Sequence, residues 1–146
     1  MNPPGPDRSR AFRGPPGRCS ITWGLIAGGR VHRGADGAAG DVGHIQVTVE
    51  GVADPPLCRC GNTGCVEAYT GGWALVRDLR AAGRQVATVN DAVQLIRSGD
   101  LTAVRLARRA ARILGGAIAD TVNLFNPGVI AIGGQLAHTD EQLRHP

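Results

Sequence analysis

The sequence predicts an α/β fold. Two short β-type stretches near the start, a long helix-period segment at 102–125 and an apolar run, "GVIAIGG", straight after that segment carry the prediction. The 146 residues suffice for one domain with a modest core. With 42% apolar but only 3% aromatic residues, that core must be built from Val, Leu, Ile and Ala. No apolar run approaches the ~20 residues of a transmembrane helix, and the N-terminus has no apolar signal-peptide segment. A cytoplasmic location without membrane attachment is therefore expected. The net charge of +4 is concentrated at one end: Arg8, Arg10, Arg13 and Arg18 stand against Asp7, and the remaining chain is close to neutral. Basicity is thus a property of the leader and says little about nucleic acid. All sixteen basic residues are Arg, which alongside so much Ala and Gly reads as codon bias.

Taken in order, "MNPPGPDRSRAFRGPPGRC" is rich in Pro, Gly and Arg without apolar periodicity, so residues 1–22 are expected to form a disordered or non-native leader and 23–146 the domain. "SITWGLIAGGRVHRG" predicts a β-hairpin, with residues 21–27 and 30–33 joined by a Gly28-Gly29 turn. A glycine-spaced loop, "GADGAAGDVGH", runs into the alternating strand "HIQVTV". A cysteine loop follows and leads into a helix from Val66 to about Arg80. "TVNDAVQLIRSGD" predicts a short helix opened by Thr88 or Asn90 and closed near Gly99. In the segment 102–125, Leu106, Ile113, Ala117, Val122 and Phe125 share a stripe, while Arg105, Arg108, Arg109 and Arg112 form a solvated face. Asn126-Pro127 stops that helix, "GVIAIGG" is expected to be a buried strand, and a further helix begins at 136.

The chemistry is concentrated in "LCRCGNTGCVEAY", where Cys58, Cys60 and Cys65 lie within eight positions. Zinc takes four soft or borderline ligands in a tetrahedron, and Gly61 and Gly64 let the backbone turn tightly enough for three sulfurs to face one point. A fourth ligand must come from Cys19, His32, His44, His138 or His145. His44 is best placed, because it follows the flexible Gly43 and starts the strand that leads into the loop. A Cys58–Cys60 disulfide is disfavoured, since one intervening residue suits the bridge geometry poorly. Metal bound there would rigidify a loop with little apolar content of its own. Taken alone, Asp41 reads as a turn residue and Glu67 as a favourable charge at a helix N-terminus.

"RGADGAAGDVGHIQV" followed by "CRCGNTGCVEAY" resembles the central signature of the ROK family, which groups sugar kinases with sugar-responsive transcriptional repressors. "LFNPGVIAIGGQLA" resembles the family's C-terminal nucleotide-side strand and Gly-Gly turn, so the similarity covers roughly residues 24–143. The resemblance implies a partial actin-like ATPase (ribonuclease H-like) fold, mainly the C-terminal lobe with a zinc loop. It implies structural zinc held by His44, Cys58, Cys60 and Cys65. It also implies a sugar site at Asp41, His44 and Glu67, and a nucleotide-side turn at Gly133 and Gly134. Neutral sugars are read by carboxylates that accept from hydroxyls and are held rigidly by their surroundings.

Departures from the family pattern shape the expected activity. Asp41 occupies a position where the kinases usually have Glu. The acidic Gly-Gly-Thr phosphate loop and the Asn-Asp pair upstream of the glycine loop do not appear, and "CSITW" replaces a Gly-x-Gly run. Asn90-Asp91 has the right letters but lies downstream of the cysteines, so the base role is not carried to it. Phosphoryl transfer needs a phosphate cradle, a positioned metal and an aligned nucleophile. ATP is accordingly not expected as a cofactor, and the chain is expected to be the sugar-binding, zinc-containing portion of a ROK-type regulator without catalysis. The alternatives are a truncated glucokinase-like sugar kinase and a zinc-binding fragment without function. A small-molecule sugar is the expected partner, with DNA reached only through an N-terminal helix-turn-helix that this fragment lacks, and a homo-oligomer in the full-length parent.

Overall fold

A computed structural model describes residues 21–139 of the chain. The predicted leader therefore lies almost wholly outside the described residues, as does most of the helix expected from 136. The first ordered feature is a minimal hairpin: β1 (Ile26–Ala27) pairs antiparallel with β2 (Arg30–Val31), Ile26 opposite Val31 and Ala27 opposite Arg30. Gly28 and Gly29 have φ of 58° and 75°, the left-handed pair that a two-residue turn of this hand requires. The hairpin is shorter than the sequence suggests, although the His32 N–H to Leu25 carbonyl bond at 2.7 Å extends the pairing by one step.

The segment "HIQVTV" is not the strand its alternation predicts. Val42–His44 form a 3-10 turn, and Gln46 makes a single antiparallel bridge with Cys65. The Val66 N–H donates to the Ile45 carbonyl at 2.9 Å and the Val47 N–H to the Gly64 carbonyl at 2.9 Å. The partner is the cysteine loop itself, which is too short and too tightly turned to extend a ladder. This local pairing fixes His44 beside the cysteines.

The predicted helix from Val66 is two helices. α1 (Val66–Thr70) ends at Gly71, whose extended backbone (φ −65°, ψ 149°) also caps the start of α2 (Gly72–Ala81). A Cβ at Gly71 would lie 2.8 Å from the Glu67 carbonyl oxygen and 3.1 Å from Trp73 Nε1, and one at Gly72 would lie 2.8 Å from Val89 Cγ2. The Gly-Gly pair thus permits a sharp bend and a close approach to the next helix.

α3 (Val89–Arg97) begins with a capping box. The Thr88 hydroxyl accepts from the Asp91 N–H at 3.2 Å, and Asp91 Oδ2 accepts from the Thr88 N–H at 2.8 Å. Hydrogen bonds to the carboxylate from the Ala87 N–H, from the Thr88 N–H and from the Thr88 side chain hold the Asp91 carboxyl below its ordinary range. Asp91 is therefore a capping residue. α4 (Leu101–Phe125) is capped by Asp100, which accepts from the Ala103 N–H at 2.9 Å and from Arg84 Nε at 2.9 Å. It stops at Asn126, in the left-handed region at φ 42°, just before Pro127.

Leu75, Val76, Leu79, Val86, Ala92, Ile96, Ala103 and Ala107 form the main core among α2, α3 and α4. The buried face of α4 is carried by Ala103, Ala107 and Ala117; Leu106 and Ile113 are half-buried and Val122 and Phe125 exposed. Small side chains win the inner face because they let α1, α2 and α3 approach the α4 backbone closely. Arg105, Arg109 and Arg112 are exposed and Arg108 half-buried, much as a solvated face requires.

The expected buried strand at 128–134 is not observed. Val129 is 84% and Ile132 63% exposed, and no strand lies alongside them among the described residues. An apolar run becomes a strand only where a neighbour accepts its ladder bonds. Among the described residues the α/β expectation is met only in part, by four α-helices and one minimal two-stranded hairpin. No helix among the described residues is long and apolar enough to cross a membrane.

Candidate metal centre and the carboxylates beside it

Three short pieces of chain converge on one point. The 3-10 turn Val42–His44 brings in the imidazole. The loop Cys58–Cys65, tightened by a Leu57–Thr63 bridge and a Cys58 N–H to Asn62 carbonyl bond of 2.7 Å, brings in three sulfurs. Gly61 and Gly64, at φ 97° and 75°, make the turns that other residues would resist. The ligand atoms of His44, Cys58, Cys60 and Cys65 all lie within 4.8 Å of one another. Cys58 and Cys65 are buried, His44 half-buried and Cys60 exposed.

These distances suit a metal better than a disulfide or a set of packed thiols. Around zinc with ~2.3 Å Zn–S and ~2.0–2.1 Å Zn–N bonds, tetrahedral edges are about 3.8 Å between sulfurs and about 3.6 Å between sulfur and nitrogen. Cys60 Sγ lies 3.7 Å from Cys65 Sγ, and Cys58 Sγ lies 3.6 Å from His44 Nδ1. The four donors can hold a metal ion. Burial, with hydrogen bonds from Cys60 and Cys58 adding to it, pushes the Cys65 thiol up to about 12. The Asn62 backbone holds the Cys60 thiol below its ordinary value. Cys58, Cys60 and Cys65 are unbridged.

The imidazole faces two ways. With Nδ1 towards the sulfurs, Nε2 lies 3.8 Å from Asp41 Oδ1 and 4.0 Å from Glu67 Oε2. Asp41 stands at the N-cap position of the turn that carries His44, makes no side-chain capping bond there and is exposed, whereas Glu67, on α1, is only 5% exposed. Gly43 makes this arrangement possible: a Cβ there would press into the Ile21 carbonyl oxygen and lie 3.4 Å from Glu67 Oε2. The second Glu67 oxygen, Oε1, accepts from Trp73 Nε1 at 2.9 Å.

Six of the residues singled out from sequence are thus together: Asp41, His44, Cys58, Cys60, Cys65 and Glu67. Gly133 and Gly134 are exposed and share no hydrogen bond with this group among the described residues. Of the other candidate fourth ligands, His32 is exposed beside the hairpin, and Cys19, His145 and the side chain of His138 lie outside the described residues. Sequence reasoning missed Trp73 and Arg59. Arg59, between two of the cysteines, places its guanidinium 4.6 Å from the centre of the Trp73 ring. No local pattern signals a contact across fourteen positions, although a lone Trp two residues past a Gly bend is a hint.

The geometry belongs to a known class. The profile of the ROK family matches residues 21–145, and the chain belongs to that family. It is 34% identical over 129 residues to the N-acetylglucosamine repressor of Escherichia coli O157:H7, covering 82% of this chain and 31% of the repressor. It is 34% identical over 142 residues to a glucokinase of Streptomyces coelicolor, covering 84% of this chain and 43% of the enzyme. Among solved structures, the ROK hexokinase from Thermus thermophilus superposes with a TM-score of 0.72 at 36% identity, over 86% of this chain and 42% of the hexokinase. The fold is therefore part of the actin-like fold of ROK sugar kinases. The chain spans less than half the length of these relatives.

Proposed function

We propose that this chain supplies the sugar-recognising, zinc-holding part of a ROK transcriptional regulator, and that it binds a hexose without phosphorylating it. The observation that carries the reading is the two-sided imidazole. His44 offers Nδ1 to Cys58, Cys60 and Cys65, and Nε2 to a space bordered by Asp41 and Glu67. In this reading zinc is structural: it neutralises the thiolates and fixes the orientation of His44. The sugar is read by the chain's own groups, with Asp41 and Glu67 accepting hydrogen bonds from its hydroxyls and the outer nitrogen of His44 completing the set. A buried carboxylate such as Glu67 suits this task because a hydroxyl donor replaces the water it has lost.

Regulator is favoured over kinase by Asp41, one methylene shorter than the Glu usual in the kinases that the sequence resembles. Soluble, cytoplasmic action on DNA as a homo-oligomer belongs to the same reading.

The test is isothermal titration of the zinc-loaded chain with N-acetylglucosamine and with glucose, with and without ATP. Heat on adding sugar and none on adding ATP supports a sensor. No sugar heat at millimolar concentration removes the sugar site. Phosphorylation of either hexose by the chain replaces the regulator reading with the kinase one.

A further inference from the structure

Glu67 is the least accessible acid of the site, and its two oxygens do different things. Oε2 faces His44 Nε2 at 4.0 Å, while Oε1 takes the indole N–H of Trp73 at 2.9 Å. A carboxylate can swing about its last torsion, which is broad and two-fold. A single well-aimed donor on one oxygen is enough to choose which way the other points.

The donor is itself held in place. Trp73 lies in the first turn of α2 and packs against the small cluster of Cys58, Cys65 and Ala68. The guanidinium of Arg59 sits 4.6 Å from its ring centre and that of Arg77 sits 5.3 Å away. Arg77 is tied down in turn, donating from Nη2 to the Ala68 carbonyl at 3.0 Å and from Nε to Asp78 at 2.7 Å. Cations near an indole ring are attracted to its face, so the ring plane, and with it the N–H direction, is set by α1, α2 and the cysteine loop together. Gly71 completes the fit, since a methyl there would lie 3.1 Å from Trp73 Nε1 and 3.2 Å from Glu67 Cγ.

We propose that Trp73 is a positioning residue for sugar recognition: its indole N–H fixes the Glu67 carboxylate so that Oε2 faces the sugar site, and Arg59 ties that orientation to the metal loop. The inference rests on the reading of Glu67 as an acceptor for sugar hydroxyls. Trp73 itself touches no sugar; it acts through Glu67.

Two measurements test it on the full 146-residue chain. The first is sugar titration of the zinc-loaded Trp73→Phe variant, which keeps a ring under the two arginines and loses the donor. With Oε2 no longer fixed, N-acetylglucosamine or glucose affinity should fall about tenfold or more while zinc per chain stays near wild type, and the lost hydrogen bond to a buried carboxylate lowers the melting temperature by several degrees. Unchanged sugar affinity overturns the proposal. A variant that loses zinc as well makes Trp73 a structural residue and also overturns it.

The second measurement needs no sugar. The chain has two Trp residues, so its ¹H–¹⁵N spectrum carries two indole signals, and the one missing in Trp73→Phe is assigned. Glu67→Gln, which keeps the shape and weakens the acceptor, should move the Trp73 indole proton upfield and leave that of Trp23 in place. No movement refutes the indole–carboxylate bond. If wild type binds no hexose and the indole signal does move, the link stands and the sugar reading has failed; the two outcomes are distinguishable.

Discussion

Gly43→Ala is the most economical way to disturb the site without touching a ligand. Gly43 is buried in the 3-10 turn immediately before His44, and its φ lies outside the left-handed region, so alanine meets no backbone penalty there. Only space opposes it. The new methyl would press into the Ile21 carbonyl oxygen, a backbone atom that no rotamer change can remove, and would touch Glu67 Oε2 at 3.4 Å. Relief requires the turn or the segment at Ile21 to shift on the order of 1 Å, comparable to the spread that separates a good ligand set from a poor one. Overpacking of this kind costs about 1–3 kcal/mol. At this chain length that lowers the melting temperature by about 4 °C per kcal/mol, hence about 4–12 °C. Because the shift moves His44 off its 3.6 Å approach to Cys58, zinc affinity should fall about 10–100-fold, the usual effect of disturbing the groups that support a metal ligand. Thermal melts with and without zinc, together with chelator competition, read both quantities. A variant with wild-type melting temperature and wild-type zinc affinity would refute the packing argument.

Three further outcomes follow from the same coordinates. Cys60→Ser should lower the zinc retained against a chelator, measured by elemental analysis, since a serine oxygen is a poor substitute for thiolate; full retention would remove Cys60 from the ligand set. The Asp91 carboxyl is held below its ordinary range by three hydrogen bonds in the folded state. Its contribution is therefore complete above the unfolded value of ~3.9 and is lost as pH falls through the lower folded value. Asp91→Asn should flatten that part of the acid limb in denaturant midpoints taken from pH 5 to pH 2, and an unaltered limb would count against the capping box. Ile96→Ala, at a fully buried core position, should cost about 2–5 kcal/mol by urea denaturation, and a cost below about 1 kcal/mol would mean that the α2–α3–α4 core is not packed as described.

Helix ends were the most legible feature of the sequence where a residue acts on its immediate neighbours. Thr88 and Gly99 bracket α3, and Asn126-Pro127 ends α4, because these residues act within a few positions of themselves. The clustering of His44 with the three cysteines was legible for a related reason: sulfur and imidazole donors are rare, and the glycines between them announce tight turns. The break at Gly71 was not, because a Gly-Gly pair inside an apolar periodic run is compatible with one helix until the packing of Val89 against Gly72 is known. The strands at 44–49 and 128–134 were overread: alternation and apolar content describe what a strand face needs, not whether a partner lies alongside. Trp73 and Arg59 were invisible since their value lies in contacts between separate elements.

X-ray absorption at the zinc edge addresses the central claim most directly. The chain loaded with one equivalent of zinc should show three sulfur scatterers at ~2.3 Å and one nitrogen at ~2.0–2.1 Å, with the imidazole signature lost in His44→Ala. A shell of oxygen and nitrogen only, or an imidazole signature that survives that substitution, would contradict the assignment of His44 and the three cysteines to one ion.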